Sequence, residues 1–374
     1  MKDVIILQKL KEILKYALSN HLPFFAYKLP KSEIIEIGIQ KDLDLMSFHN
    51  FADLKDKQGF VFAPFDSAGK HKSWFIREDF NFSSGKVDQA CFDELSLYKN
   101  EMPLSRNKAC IEGTEADYFS QITDILKALK EKELDKAVLS RIHVEKNDKG
   151  FDSSSLFFQL CENYPKAFVS FVSLPGDCSW MGASPELLFK SEKDVSETVA
   201  LAATLPMVSS NLSDIKWGQK EIEEQAFVSR YIEDVFKANS IDVFERKGPY
   251  TVQAGQIVHL KTEFKTETKL CFENKAKIIS ALHPTPAVCG LPKQKALELI
   301  NSVETHDREY YAGYWGLLKK GGNVELYVNL RTMKIAENQL SLFVGGGITA
   351  DSIPQDEWVE TQNKAQTLLS VIRK

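Results

Sequence analysis

The chain has 374 residues, 43% hydrophobic and 26% charged, with a formal net charge of −5. This is the make-up of a soluble globular protein with a large core, and the length favours two domains. No run approaches the roughly 18 apolar residues of a membrane span, and an acidic balance without a lysine or arginine block argues against a nucleic-acid surface.

In chain order, the apolar start is soon broken by Lys9, Lys11 and Glu12, which predicts an amphipathic helix over about 5–18 and no secretory leader. Short strand-like runs follow at 59–65 and 73–76. A polar stretch at 98–113 then divides an N-terminal α/β portion, 1–108, from the remainder, 109–374, on which it packs. Thr114, with Asp117 three residues on, opens a helix whose apolar positions Phe119, Ile122, Ile125, Leu126 and Leu129 keep the helical period. Beyond it, strands are predicted at 136–144, 167–174, 179–182, 187–190, 195–202, 250–264, 324–335 and 339–344. Helices are predicted at 154–163, 214–237, 272–282, 293–303 and 354–373. Ser352 is the expected cap of the last helix, with Pro354 in its first turn. Short turns between neighbouring strands, such as Glu337-Asn338, point to an α+β fold with largely antiparallel sheets. The six cysteines form no CxxC pair and no zinc spacing, and read as buried thiols of a reducing cytoplasm.

Acidic pairs recur at helical spacing: Glu221 with Glu224, and Glu357 with Glu360 followed by Lys364. Hard carboxylate oxygens from two elements suit Mg²⁺, whereas each pair taken alone reads as an ordinary solvated helix face. Lys136 opens a run that is apolar on both faces, so its amine either enters a dry interior, where it could serve as a base, or ends the strand in water. Glu186 lies in a turn between two strands, as a positioned acid or a plain turn carboxylate. His283, before Pro284, could cap a helix C-terminus. Gly345, Gly346 and Gly347 form a loop that could cradle an anion or merely turn the chain. Arg331, within a strand, has the fork for a carboxylate or for a cross-strand ion pair. GxSxG, P-loop and HExxH motifs are absent, which removes the commonest hydrolase, phosphate-binding and zinc-protease readings.

Taken together, KAVLSR (136–141), GASPELLF (182–189), LAAT (201–204), EIEEQ (221–225) and ALHPTPAVCGLP (281–292) resemble the chorismate-utilising enzymes. DREYYAG (307–313), LYVNLR (326–331) and GGGITADSIPQDEWVETQNK (345–364) continue the resemblance in the family's order, so that it covers roughly 109–374. That family includes isochorismate synthase, salicylate synthase and the large subunits of anthranilate and aminodeoxychorismate synthase. The resemblance implies packed, largely antiparallel sheets flanked by helices, of the anthranilate synthase component I type. It also implies a magnesium ion held by Glu224 and Glu360, with Glu221 and Glu357 in support. Lys136 matches the lysine that activates water and Glu186 the acid facing the departing hydroxyl. Tyr311 and Arg331 match contacts to the enolpyruvyl carboxylate, Lys364 and the glycine amides contacts to a carboxylate, and Thr204 and His283 residues lining the ring.

Within the family, lysine at 136 points to water as nucleophile where the ammonia-using enzymes carry glutamine. The expected activity is therefore isochorismate synthesis, of the menaquinone or siderophore type, by a cytoplasmic monomer without an obligatory protein partner. Salicylate synthesis, with pyruvate elimination, and a catalytically silent chorismate-binding protein are the alternatives. Three departures stand out: Ala203, where the family has glycine, adds a methyl beside the ring site; Gln225 replaces a histidine; and Tyr314-Trp315 replace Pro-Val.

Overall fold

The structure, a computed structural model, describes residues 2–101, 109–147, 151–207, 209, 211–254 and 257–374. Residues 102–108, within the polar stretch expected to divide the chain, therefore lie outside the described residues.

Two nine-stranded sheets form the frame, and every strand pairing described is antiparallel. The first sheet runs Gly290–Leu291, Lys136–Lys146, Gln339–Ile348, Thr332–Ala336, Cys178–Ser184, Phe168–Leu174, Phe24–Lys28, Ile35–Ile39 and Phe80–Ser83. The second runs Glu245–Ala254, Ile257–Thr266, Val195–Pro206, Leu187–Glu192, Asn323–Val328, Tyr314–Lys319, Gly59–Ala63, Ser73–Arg77 and Met46–Phe48. Residues from the N-terminal hundred thus complete one end of each sheet. Phe60, Phe62, Phe168, Trp180, Trp315 and Phe343 share one core cluster. A second cluster joins the helices Lys2–Ser19, Ser153–Asn163 and Pro354–Ile372 to the first sheet through Leu10, Leu14, Phe157, Leu160, Val344 and Leu368. The strand runs read as apolar on both faces because both faces are covered.

The helices Phe272–Leu282 and Lys293–Val303 match their predicted bounds, and Thr114 caps Glu115–Lys130 as expected by accepting the Asp117 N–H. The single strand expected over 250–264 is instead two paired strands, Glu245–Ala254 and Ile257–Thr266, with the Gly255-Gln256 junction outside the described residues. The strand expected over 324–335 also splits. Asn323–Val328 lies in the second sheet and Thr332–Ala336 in the first, and the chain crosses between them with Arg331 at φ 50°. Both halves are buried, so the apolar run carries no sign of the switch.

The helix expected from 214 begins only at Gln219, after a short 3₁₀ turn at Leu212–Asp214. Ser352 is not the cap of the last helix: Ile353 occupies that position, and the Ser352 hydroxyl accepts the Thr349 N–H at 3.0 Å. Gly345, Gly346 and Gly347 form no loop; they continue the strand Gln339–Ile348 opposite Ser140, Leu139 and Val138. Among the described cysteines, Cys161 and Cys289 are buried as expected, Cys91 and Cys110 are half-buried and Cys271 is exposed; the Cys178 side chain lies outside the described residues. No described helix is long and apolar enough to cross a membrane.

Candidate active site

Glu186, Ala203, Thr204, Glu224, Tyr311, Arg331, Gly345, Gly346, Gly347 and Lys364 line one narrow cavity between the sheets, joined by His259. Lys136 starts its strand fully buried, and its Nζ donates to Glu224 Oε1 at 2.7 Å. Burial alone would raise the Glu224 pKa; the Lys136 charge and hydrogen bond, with Lys364 and Lys220 beyond, outweigh it and hold the carboxyl below its ordinary range.

The glycine triplet makes this convergence possible. A Cβ on Gly347 would lie 2.8 Å from Lys136 Cε and 2.9 Å from Glu224 Oε1, and one on Gly345 would lie 3.0 Å from the Tyr311 hydroxyl. A Cβ on Gly346 would meet Glu357 Oε2 at 3.3 Å and Glu360 Oε1 at 3.6 Å. The strand has no side chains here because the space belongs to functional groups of its neighbours.

Glu186 sits between Cys178–Ser184 and Leu187–Glu192, fully buried, with Oε1 accepting the Thr285 hydroxyl at 3.2 Å. Burial pushes its carboxyl up to about 8, against the opposing pull of that hydrogen bond and of the Lys136 and Arg331 charges. It is therefore mostly protonated at neutral pH, the state of a proton donor.

Arg331 makes no ion pair among the described residues; its Nη2 lies 3.4 Å from His259 Nε2. Burial first, then the Arg331 charge, lowers the His259 pKa to about 3, so the ring is neutral. Its Nδ1 is 2.9 Å from the Ala203 carbonyl oxygen, which can only accept, so Nδ1 carries the proton and Nε2 offers its lone pair to Arg331. The carbonyl is turned there by a β-bulge: the register of Val195–Pro206 shifts between Ala202 and Thr204, and Ala203 sits at φ 59°. Behind the bulge, Gln225 Oε1 accepts the Ala202 N–H at 3.0 Å, while Nε2 donates to the Ala200 carbonyl at 3.1 Å and to Thr262 Oγ1 at 2.9 Å.

Five of the expected residues are not part of the cavity lining: Lys136, Glu357 and Glu360 lie against Glu224 and Gly346, which are, whereas Glu221 and His283 turn elsewhere. The Glu221 side chain turns back toward Gly218 at the start of its helix, where a Cβ would lie 2.6 Å from its Oε2. His283 points the other way: burial lowers its pKa to about 3, and its Nε2 bonds the Pro64 carbonyl at 3.0 Å while the ring packs edge-on against Tyr314. His259 and Lys220 were not singled out by sequence. His259 is one histidine in an alternating strand, where nothing but its ring distinguishes it; Lys220, which holds Glu357 Oε1 at 2.9 Å, precedes Glu221 in an ordinary charged helix start.

Each acidic residue that could serve a metal is answered by a lysine: Glu224 by Lys136, Glu357 by Lys220 and Glu360 by Lys364, the last at 2.5 Å. As they stand, no three His, Cys, Asp or Glu side chains among the described residues form a metal-holding group. The donor set is nonetheless hard oxygen throughout, and Glu357 Oε2 is buried without a hydrogen-bond partner. A wider concavity of about 420 Å³ opens beside His71, Asp307 and Arg308, but its charges are consumed internally, Asp307 by Lys70 and His71 and Glu304 by Arg308.

The family model described as chorismate binding enzyme matches residues 86–373. Isochorismate synthase EntC of Escherichia coli (strain K12) is 32% identical over 245 residues, covering 64% of this chain and 62% of EntC. Isochorismate synthase MenF of Haemophilus influenzae is 27% identical over 321 residues, 82% of this chain and 72% of MenF. Thus this chain spans less than two thirds of EntC but more of MenF. The crystal structure of DhbC from Bacillus anthracis shares the fold across 98% of this chain and 99% of its own, with a TM-score of 0.79 at 23% identity. With 86–373 matched, well over half its length, the chain belongs to the chorismate-binding enzyme family.

Proposed function

We propose that the protein is an isochorismate synthase, a Mg²⁺-dependent isomerase that adds water at C2 of chorismate and expels the C4 hydroxyl. The observation that carries the reading is Glu186, a buried carboxyl held mostly protonated at neutral pH and lining the same cavity as Glu224, the partner of Lys136. The relatives named isochorismate synthase support the choice of reaction.

In this reading Lys136 enters the step as the neutral amine, its ammonium proton released to solvent, and takes a proton from water as the water oxygen bonds to C2. The ring double bonds shift, the C4–O bond breaks, and Glu186 gives its proton to the leaving hydroxyl, so one water enters and one leaves. Each proton transfer is worth on the order of 10²–10⁴-fold. Arg331, without an ion pair among the described residues and oriented by neutral His259, receives the enolpyruvyl carboxylate with Tyr311 beside it. Lys364 balances a second carboxylate from the opposite wall. Glu224 and Glu360, backed by Glu357, would hold Mg²⁺, which supplies positive charge to the ring carboxylate when bound. The free thiols among the described cysteines support a reducing, cytoplasmic setting.

The test is chromatography of purified protein with chorismate, with and without Mg²⁺, following isochorismate, salicylate and pyruvate. Metal-dependent isochorismate without pyruvate is the expected result. Salicylate with equal pyruvate would replace the proposal with the lyase reading, and no product under any condition would overturn it.

A further inference from the structure

Tyr118, on the helix Glu115–Lys130, is 1% exposed, and its hydroxyl has no hydrogen-bond partner. Leaving a buried hydroxyl unpaired is costly, so such a group calls for an explanation. Its ring packs, tilted by 54°, on Trp358 of the helix Pro354–Ile372 at 5.5 Å between centroids, and the Arg141 guanidinium lies over the Trp358 ring at 4.0 Å. Arg141 is itself tied to the same helix by Nε donating to Thr361 Oγ1 at 2.8 Å. Rotating the ring to find a partner would break this stack.

The hydroxyl faces a second orphan. Glu357 has one oxygen held by Lys220, while Oε2 is buried without a hydrogen-bond partner; the Ser352 hydroxyl, which accepts the Thr349 N–H and keeps its own proton, also lies against this carboxylate. A Cβ on Gly346 would sit 3.3 Å from Glu357 Oε2, 3.6 Å from Glu360 Oε1 and 3.8 Å from the Tyr118 hydroxyl. One donor and two acceptors therefore converge on the bare Cα of Gly346, where no side chain separates them. Three polar partners are what a buried water requires.

We infer that Tyr118 is a positioning residue of the carboxylate cluster, its hydroxyl donating to a water shared with Glu357 Oε2 and Glu360 Oε1. The inference rests on the proposal that these carboxylates serve a divalent cation. Lys220 then fixes one oxygen of Glu357 and the Tyr118-bound water the other, so that the carboxylates hold one orientation when a cation arrives. Outer groups of this kind alter metal affinity by about 10- to 100-fold.

The experiment titrates the full chain with Mn²⁺, reading free Mn²⁺ by electron paramagnetic resonance, with and without chorismate. Tyr118→Phe removes one oxygen and keeps the stacked ring. The expected result is Mn²⁺ affinity weakened about tenfold, an unchanged thermal midpoint without metal, and no additional loss when the substitution is made in a Glu357→Gln background. Wild-type affinity in Tyr118→Phe would overturn the inference, and so would an equal loss in the Glu357→Gln background, because the hydroxyl would then act elsewhere. Failure of the wild-type chain to bind Mn²⁺ would overturn the metal reading itself and the inference with it.

Discussion

Lys136 and Glu224 meet at 2.7 Å across the interior, an amine from the first sheet against a carboxylate from the helix Gln219–Ala238, which packs on the second. The lysine side chain is wholly inaccessible and the glutamate 15% exposed. Each cancels the other's charge where water cannot, which makes the pair both the chemical centre of the site and a liability if broken.

Lys136→Ala is expected to abolish isomerisation, by at least about 10²-fold, and to destabilise the fold by about 3–5 kcal/mol by stranding the Glu224 charge. Product formation and urea unfolding of the same sample check both. Undiminished turnover would remove Lys136 from the mechanism.

Glu186 sets the alkaline limit. Its carboxyl is raised to about 8, so a reaction that needs its proton should slow above that pH, and Glu186→Gln should lose activity together with that limb of the kcat/KM profile. Stability follows the same group with a definite sign. Below its unfolded pKa the carboxyl is protonated in both states and costs nothing. Between about 4.5 and 8 the unfolded chain ionises while the folded one does not, so stability falls as pH rises through that window. Glu186→Gln cannot ionise, so its stability relative to the parent should grow across the same range, and a flat difference would refute the shift.

Ala203 occupies a conformation better suited to glycine. Relieving a left-handed alanine returns about 1–2 kcal/mol, while the added freedom of the unfolded chain takes back about 0.4–1 kcal/mol. Ala203→Gly should therefore stabilise the protein by roughly 0.5 kcal/mol, visible as a small rise in thermal midpoint. A fall would mean that the methyl packs usefully against the cavity.

Gln225→Ala would leave the Ala202 N–H, the Ala200 carbonyl and the Thr262 hydroxyl without their partner. A loss of about 3 kcal/mol is expected from burying these groups unpaired. Because the bulge beneath Arg331 and His259 would loosen as well, KM for chorismate should rise more than kcat falls; an unchanged KM would show that the bulge holds itself.

Much of this was legible in the residues, for reasons that differ by element. The helix Lys293–Val303 announces itself by period and by Pro292 before it, and the Glu360–Lys364 pair by its four-residue spacing. The crossing at Arg331 was not legible, because a buried strand in one sheet looks like a buried strand in the other. Nor was the role of the glycine triplet: an absent side chain in a sequence does not say whose atoms fill the space. His259 was hidden for a related cause, since its task depends on a carbonyl turned outward by a bulge 56 positions earlier.

The way the early strands close both sheets has a practical consequence. Phe24–Lys28 lies beside Phe168–Leu174, and Gly59–Ala63 beside Tyr314–Lys319. Cutting the chain ahead of Glu115–Lys130 would bare two hydrogen-bonding edges at once, one carrying Phe168, Val169, Phe171 and Val172 and the other Tyr314, Trp315, Leu317 and Leu318. Such edges recruit strands from other molecules. A fragment containing every acid, base and carboxylate of the cavity would thus be expected to precipitate instead of working, and any attempt to trim the protein must respect the first eighty residues as scaffold.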